Sequence, residues 1–147
     1  MVNFNLTSQK FLGIDYGRKR IGLALADLEL KIAFPETVIE NKGEKFVIAA
    51  LGDFCQKEKV VKIIIGMPYS LGNSFNQGQK NTSVWQKEVE KFAETLKKKI
   101  KIPVILEDER LSTKIIRSYK KSLKTKVDYP EDAIAAAVIL QNYLDKN

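Results

Sequence analysis

The 147-residue chain contains no histidine and a single cysteine, Cys55. The missing histidine excludes Ser–His and Cys–His catalytic arrangements, histidine acid–base pairs and histidine-rich zinc sites in one step. A lone cysteine closes no disulfide within the chain and builds no thiolate cluster, and its place in an amphipathic segment marks it as a small buried residue. Long apolar runs are scarce too. The longest, Ala133 to Leu140, falls far short of the roughly 20 residues a spanning helix needs. Met1 to Lys10 lacks a basic stretch followed by an apolar one. No signal peptide and no membrane span are therefore expected, and the expected compartment is the cytoplasm. Any chemistry must run on carboxylates, amines, hydroxyls or bound metal.

What the chain has in excess is positive charge. Its 25 basic and 18 acidic residues give a formal charge of +7. Such a balance favours polyanionic partners through counterion release, nucleic acid first among them, although lysines that merely solubilise a surface would give the same count. With 44% hydrophobic residues the chain can bury one core. A single domain over 11–147 is expected, preceded by a short extension over 1–10, with no repeat, low-complexity tract or linker dividing it.

Hydrophobic periodicity lays out an α/β order. Phe11 to Asp15 and Ile21 to Asp27 read as two strands joined through the basic turn Gly17-Arg-Lys-Arg20, and a short third strand spans Lys31 to Phe34, ending before Pro35. Phe46, Val47, Ala50, Leu51 and Phe54 recur at helical spacing over 44–57. Val60 to Gly66 is β-branched and apolar, as a parallel strand buried on both faces requires. The polar stretch from Pro68 to Thr82 reads as a functional or mobile loop. A second helix follows over 84–99, a last buried strand over 102–106, and a helix from Ser112. The final helix opens on Asp128 and Glu131, spaced as a capping box with Pro130 in the first turn, and its body from Ala133 to Leu140 is apolar on every face. The sum is a mixed sheet, a three-strand antiparallel meander plus two parallel strands, with helices packed on it.

Ligands of such sheets gather beyond the carboxyl ends of the parallel strands, where Asp15, Gly66 and the run Glu107-Asp-Glu-Arg110 fall. Asp15 ends an apolar strand, where burying an unpaired carboxylate costs several kcal/mol. It either braces the Gly17 turn or meets a ligand. The acidic cluster around Glu109 and the first-turn Asp132 have bland readings as helix N-terminal charges. Convergence changes the reading: two carboxylates ~4 Å apart repel by ~4 kcal/mol at an effective dielectric near 20, so three together require a cation. Magnesium suits such a site and supports in-line phosphodiester cleavage without histidine. Arg18, Lys19 and Arg20 would then meet flanking phosphates.

Four stretches in order, Gly13-Ile-Asp-Tyr-Gly-Arg-Lys-Arg-Ile-Gly-Leu-Ala24, Ile65-Gly-Met-Pro68, Asp108-Glu-Arg-Leu-Ser-Thr113 and Asp132-Ala-Ile-Ala-Ala-Ala-Val-Ile-Leu-Gln141, resemble the YqgF-type family, known both as pre-16S rRNA nucleases and as Holliday-junction-resolvase-like proteins. The resemblance runs from Phe11 to near the end. It implies a ribonuclease-H-like fold and a metal-dependent nuclease, with Asp15, Glu109 and Asp132 as catalytic residues and ligands of Mg2+ or Mn2+. It selects Glu109 over Glu107 and Asp132 over Asp128, and adds Arg110, Ser112 and Thr113 as phosphate-positioning residues. RNA is the expected partner ahead of branched DNA, on pre-ribosomal particles, with the chain a monomer or weak homodimer. The sequence departs from the family after Pro68, where Tyr69-Ser-Leu-Gly-Asn replaces the usual acidic or asparagine residue before a glycine, and around 120–129, which is lysine-rich. Two other readings stay open: a phosphate-binding turn of the actin-like kinase type, which needs a second domain, and a non-catalytic RNA-binding module for ribosome assembly.

Overall fold

The structure, a computed structural model, describes residues 8–68, 84–109, 113–122 and 128–147. The loop expected over 68–82 lies almost wholly outside them, as do Arg110, Ser112 and residues 123–127. Strands β1 (Lys10–Tyr16), β2 (Arg20–Asp27) and β3 (Ala33–Glu40) form an antiparallel meander. Helix α1 (Glu44–Glu58) then leads to β4 (Val60–Pro68), which pairs parallel with β1. Helix α2 (Val84–Ile100) leads to β5 (Val104–Glu109), parallel to β4, and α3 (Thr113–Ser122) and α4 (Glu131–Lys146) complete the order. The sheet runs β3-β2-β1-β4-β5, the mixed sheet expected from the sequence.

The pleat sends alternate residues to opposite faces. Leu12, Ile14, Ile21, Leu23, Leu25, Ile63 and Ile65 pack with Val47, Leu51 and Cys55 of α1 and Val89, Phe92, Ala93 and Leu96 of α2. The α2 set follows the i, i+3, i+4, i+7 rule of a helix with one apolar face. On the opposite face Ala24, Ala26, Ala33 and Ile64 meet Ala136, Ala137, Ile139 and Leu140 of α4. Every residue from Ala133 to Leu140 is buried, as an all-apolar helix body requires. Cys55 is buried as well.

Three expectations need correction. The third strand does not stop before Pro35 but runs through it to Glu40; Leu23 pairs with Thr37 and Ala24 with Pro35, so Glu36 is the extra residue of a bulge. β3 is an edge strand, and a proline without an N–H is tolerated at an edge or a bulge. The last strand begins at Val104 rather than Ile102, because Lys101 adopts a left-handed φ of 62°; the bond from the Ile63 N–H to the Pro103 carbonyl then opens the ladder with β4. It too is an edge strand, which leaves Leu106 40% exposed. The capping box is not formed either: Pro130 is the N-cap of α4, its carbonyl receives the N–H groups of Ala133 and Ile134, and Asp128 pairs with Lys120 at 3.0 Å instead. Proline supplies the required φ but no capping side chain.

Candidate active site

β1 carries Asp15 to the carboxyl end of the parallel pair, where its partner on β2 is Gly22. The reason for that glycine is steric. A Cβ at position 22 would lie 1.8 Å from the Asp132 carbonyl oxygen, so the first turn of α4 rests on bare backbone. One helical turn further along, a Cβ at Gly13 would come 2.7 Å from the Ala136 carbonyl oxygen and 2.7 Å from the Leu140 Cβ. Asp132, Ala136 and Leu140 recur every four residues and form one stripe of α4. The two glycines let that stripe sink onto the sheet, and this brings Asp132 to Asp15.

The consequence is electrostatic. Burial, and then the charge of Asp132, push the Asp15 carboxyl up to about 6 from an ordinary 3.8. Among the described residues none hydrogen-bonds its side chain. Asp27, at the other end of the β1–β2 pair, is a useful control. Its carboxylate accepts from the Ser8 hydroxyl and, at 2.8 Å, from the Glu29 N–H. These contacts, the Ser8 bond foremost, hold it below the usual carboxylate range despite burial. Asp27 is a satisfied structural acid; Asp15 is a strained one that calls for a proton or a cation.

The remaining expected site residues divide. Arg20 donates from Nε to Asp132 Oδ2 at 2.8 Å. Arg18 reaches Glu88 at 3.2 Å and lies over the Trp85 ring. Lys19 is exposed. In the free protein two of the three turn cations are thus engaged with the protein itself. The turn is fixed by Gly17, where a Cβ would meet the Arg20 carbonyl oxygen at 2.4 Å, and by Asn41, whose side-chain amide and backbone N–H donate to the carbonyls of Gly17 and Lys19. Sequence reasoning missed Gly13, Gly22 and Asn41, and it missed Trp85.

Across the sheet Ile14 pairs with Ile65, and Gly66 pairs with Glu107. Asp15, Gly66 and Glu107 therefore stand at one level of the sheet edge, and Glu109 ends β5 two residues further along, opposite Pro68. The side chains of Glu109 and Thr113 lie outside what the structure describes. Glu107 is not available, because Lys146 Nζ holds its buried carboxylate at 2.6 Å. Asp128 is committed to Lys120.

Two converging carboxylates, one of them desolvated, are hard oxygen donors of the kind Mg2+ and Mn2+ accept. No group of three or more potential ligands is complete among the described residues. The donor chemistry nevertheless fits a hard divalent ion, which Asp15 and Asp132 could hold.

The RuvX family, described as Holliday junction resolvase, matches the chain over residues 9–146. The chain belongs to this family, the one its four motifs indicate. Its relatives include a protein of Rickettsia africae (strain ESF-5) named "Putative pre-16S rRNA nuclease", 39% identical over 137 residues, 91% of this chain and 84% of that protein. A protein of the same name from Rickettsia akari (strain Hartford) is 37% identical over 143 residues, 95% of this chain and 88% of that one. Among solved structures, Thermus thermophilus RuvC in complex with Holliday junction substrate superposes with a TM-score of 0.58 at 12% identity, covering 94% of each chain. That likeness bears on the fold alone, which is ribonuclease-H-like.

Proposed function

We propose that the chain is a metal-dependent endonuclease that hydrolyses phosphodiester bonds in the maturation of the 5′ end of pre-16S rRNA, in the cytoplasm. The observation that carries this reading is the pair Asp15 and Asp132, held together by α4 against their mutual repulsion, with no hydrogen bond among the described residues to relieve Asp15. Asp15, Asp132 and Glu109 would hold Mg2+ or Mn2+. When bound, the ion neutralises charge on phosphate oxygens and makes water a competent nucleophile at neutral pH. Asp15 must be ionised to serve, and a bound cation favours the ionised form that burial and the Asp132 charge oppose. Arg20 offsets the charge of Asp132 and keeps its carboxylate aimed at the sheet edge. Arg18, Lys19 and the Arg110-to-Thr113 segment position flanking phosphates, and Lys114, Arg117, Lys120 and Lys121 of α3 add exposed positive charge nearby in the chain.

RNA is favoured over branched DNA by the names of the relatives, and pre-ribosomal particles are the corresponding partner. The second reading, a Holliday junction resolvase, draws on the family description. It requires a symmetric dimer to make two symmetric cuts, whereas an RNA nuclease can act as a monomer or weak homodimer. The test is cleavage of labelled precursor 16S rRNA fragments and of a four-way DNA junction, with Mg2+ or Mn2+, by the parent chain and Asp15→Asn. RNA cut by the parent and spared by the variant supports the proposal, and junction-only cutting transfers it to a resolvase. Binding without cutting of either substrate leaves a non-catalytic RNA-binding module. Affinity should fall steeply with added salt; salt-independent binding would contradict phosphate contact.

A further inference from the structure

On the face of the sheet turned away from α4, four side chains form a stack that runs from the core to solvent. Phe92 is 1% exposed, Tyr16 lies on it with ring centroids 4.0 Å apart and planes 19° apart, and Trp85 lies on Tyr16 at 5.6 Å and 13°. The Arg18 guanidinium carbon sits 4.7 Å from the Trp85 centroid, with its side chain 66% exposed. Tyr16 follows Asp15 directly, so the stack stands around the sheet edge from the carboxylates.

We infer that Trp85 is a stacking platform for one unpaired nucleobase of the substrate strand, covered by Arg18 until nucleic acid arrives. The inference rests on the nuclease reading and specifies which part of the substrate meets this side of the site. Arg18 is held by an exposed ion pair to Glu88 and by an exposed cation–π contact, each weaker than a base stacked on an aromatic ring. A base therefore displaces Arg18 from Trp85, and the freed guanidinium turns to the adjoining phosphate. The ring beneath is held flat by Tyr16 and Phe92, so the surface is ordered before the base arrives. Bases inside a duplex have both faces occupied by neighbours, so the platform selects a strand that is single or splayed beside the cut.

Trp85 is the chain's one tryptophan, so intrinsic fluorescence reports on this position alone. The full-length Asp15→Asn chain, which spares the substrate, is titrated with a short single-stranded RNA, its duplex form and a strand carrying abasic sites. Binding is followed separately by anisotropy of a labelled strand. The expected result is quenching by the single strand that saturates with the anisotropy change and is lost with the duplex and the abasic strand. Trp85→Leu is expected to lower single-strand affinity about tenfold and Trp85→Phe to retain it. Binding without quenching, or equal quenching by the abasic strand, overturns the platform and leaves the nuclease reading standing. Absence of binding to any of the three overturns both. If Trp85→Leu fails to fold, as melting followed by circular dichroism would reveal, the abasic comparison on the Trp85 chain decides alone.

Discussion

On one face of the sheet Leu12, Ile14, Leu23, Ile63 and Ile65 meet the branched and aromatic side chains of α1 and α2; on the other Gly13, Gly22, Ala24 and Ala26 meet the alanine-rich α4. The first contact is a thick apolar layer whose side chains can adjust to one another. The second brings backbone close to backbone at Gly22, where the Asp132 carbonyl rather than a flexible side chain is the nearest group. Most of the apolar burial therefore belongs to the α1–α2 face, while the α4 face fixes a distance. That distance is the one between Asp15 and Asp132.

Substitutions on the two faces should separate these roles. The largest effect is expected for Gly22→Ala, whose Cβ meets the Asp132 carbonyl at 1.8 Å. Backbone must move, so a loss of at least about 3 kcal/mol is expected together with loss of cleavage. Denaturant unfolding and a cleavage assay check both, and a variant as stable as its parent would refute the close approach. Next comes Leu51→Ala in the centre of the thick face, with an expected cost of about 2–5 kcal/mol. Its cleavage rate under folding conditions should nonetheless stay close to that of the parent. A comparable loss of rate there would erase the distinction between the faces.

Asp15→Asn should act in the opposite direction on stability. The folded carboxyl titrates at about 6 against an ordinary 3.8. The folded chain thus holds its proton more tightly than the unfolded one, and this group's contribution is most favourable at low pH. Stability is lost as pH rises from about 4 to 6 and is constant above that window. At neutral pH the metal-free Asp15→Asn chain should gain up to about 3 kcal/mol over the parent, and its pH–stability curve should flatten in that window. A parent curve without slope there would sink the account of Asp15. The smallest effect is expected for Arg20→Ala: its pair with Asp132 is largely exposed, 65% on the arginine side, so less than about 1 kcal/mol is at stake. A larger loss would mean that Arg20 helps seat α4.

Much of this division was legible in the sequence. Gly22-Leu-Ala-Leu-Ala26 alternates small with large, the thin and thick faces written residue by residue. Small residues carry little hydrophobic signal, however, and what α4 needs from them depends on how closely the helix approaches. Asp15 stood out as a charge in an apolar strand. Asp27 closes a strand in the same way, and only the contacts from Ser8 and the Glu29 N–H separate a satisfied acid from a strained one. Pro35 does not end its strand because β3 lies at the sheet edge, and edge position is a property of the topology, not of the segment. Asp128 and Glu131 matched a capping pattern by spacing, but Pro130 took the cap and Lys120 took Asp128. Trp85 carries no local mark that distinguishes a platform from ordinary core.

The central claim, that the α4 face exists to hold Asp15 and Asp132 around a divalent ion, is tested most directly by thermal unfolding at neutral pH with and without Mn2+, for the parent, Asp15→Asn and Asp132→Asn. The account predicts that Mn2+ raises the parent's midpoint, by about 1.4 kcal/mol of stability at tenfold excess over its dissociation constant. Asp15→Asn should start higher and gain nothing from the ion, and Asp132→Asn should also be insensitive to it. Equal Mn2+ stabilisation of all three chains would contradict it.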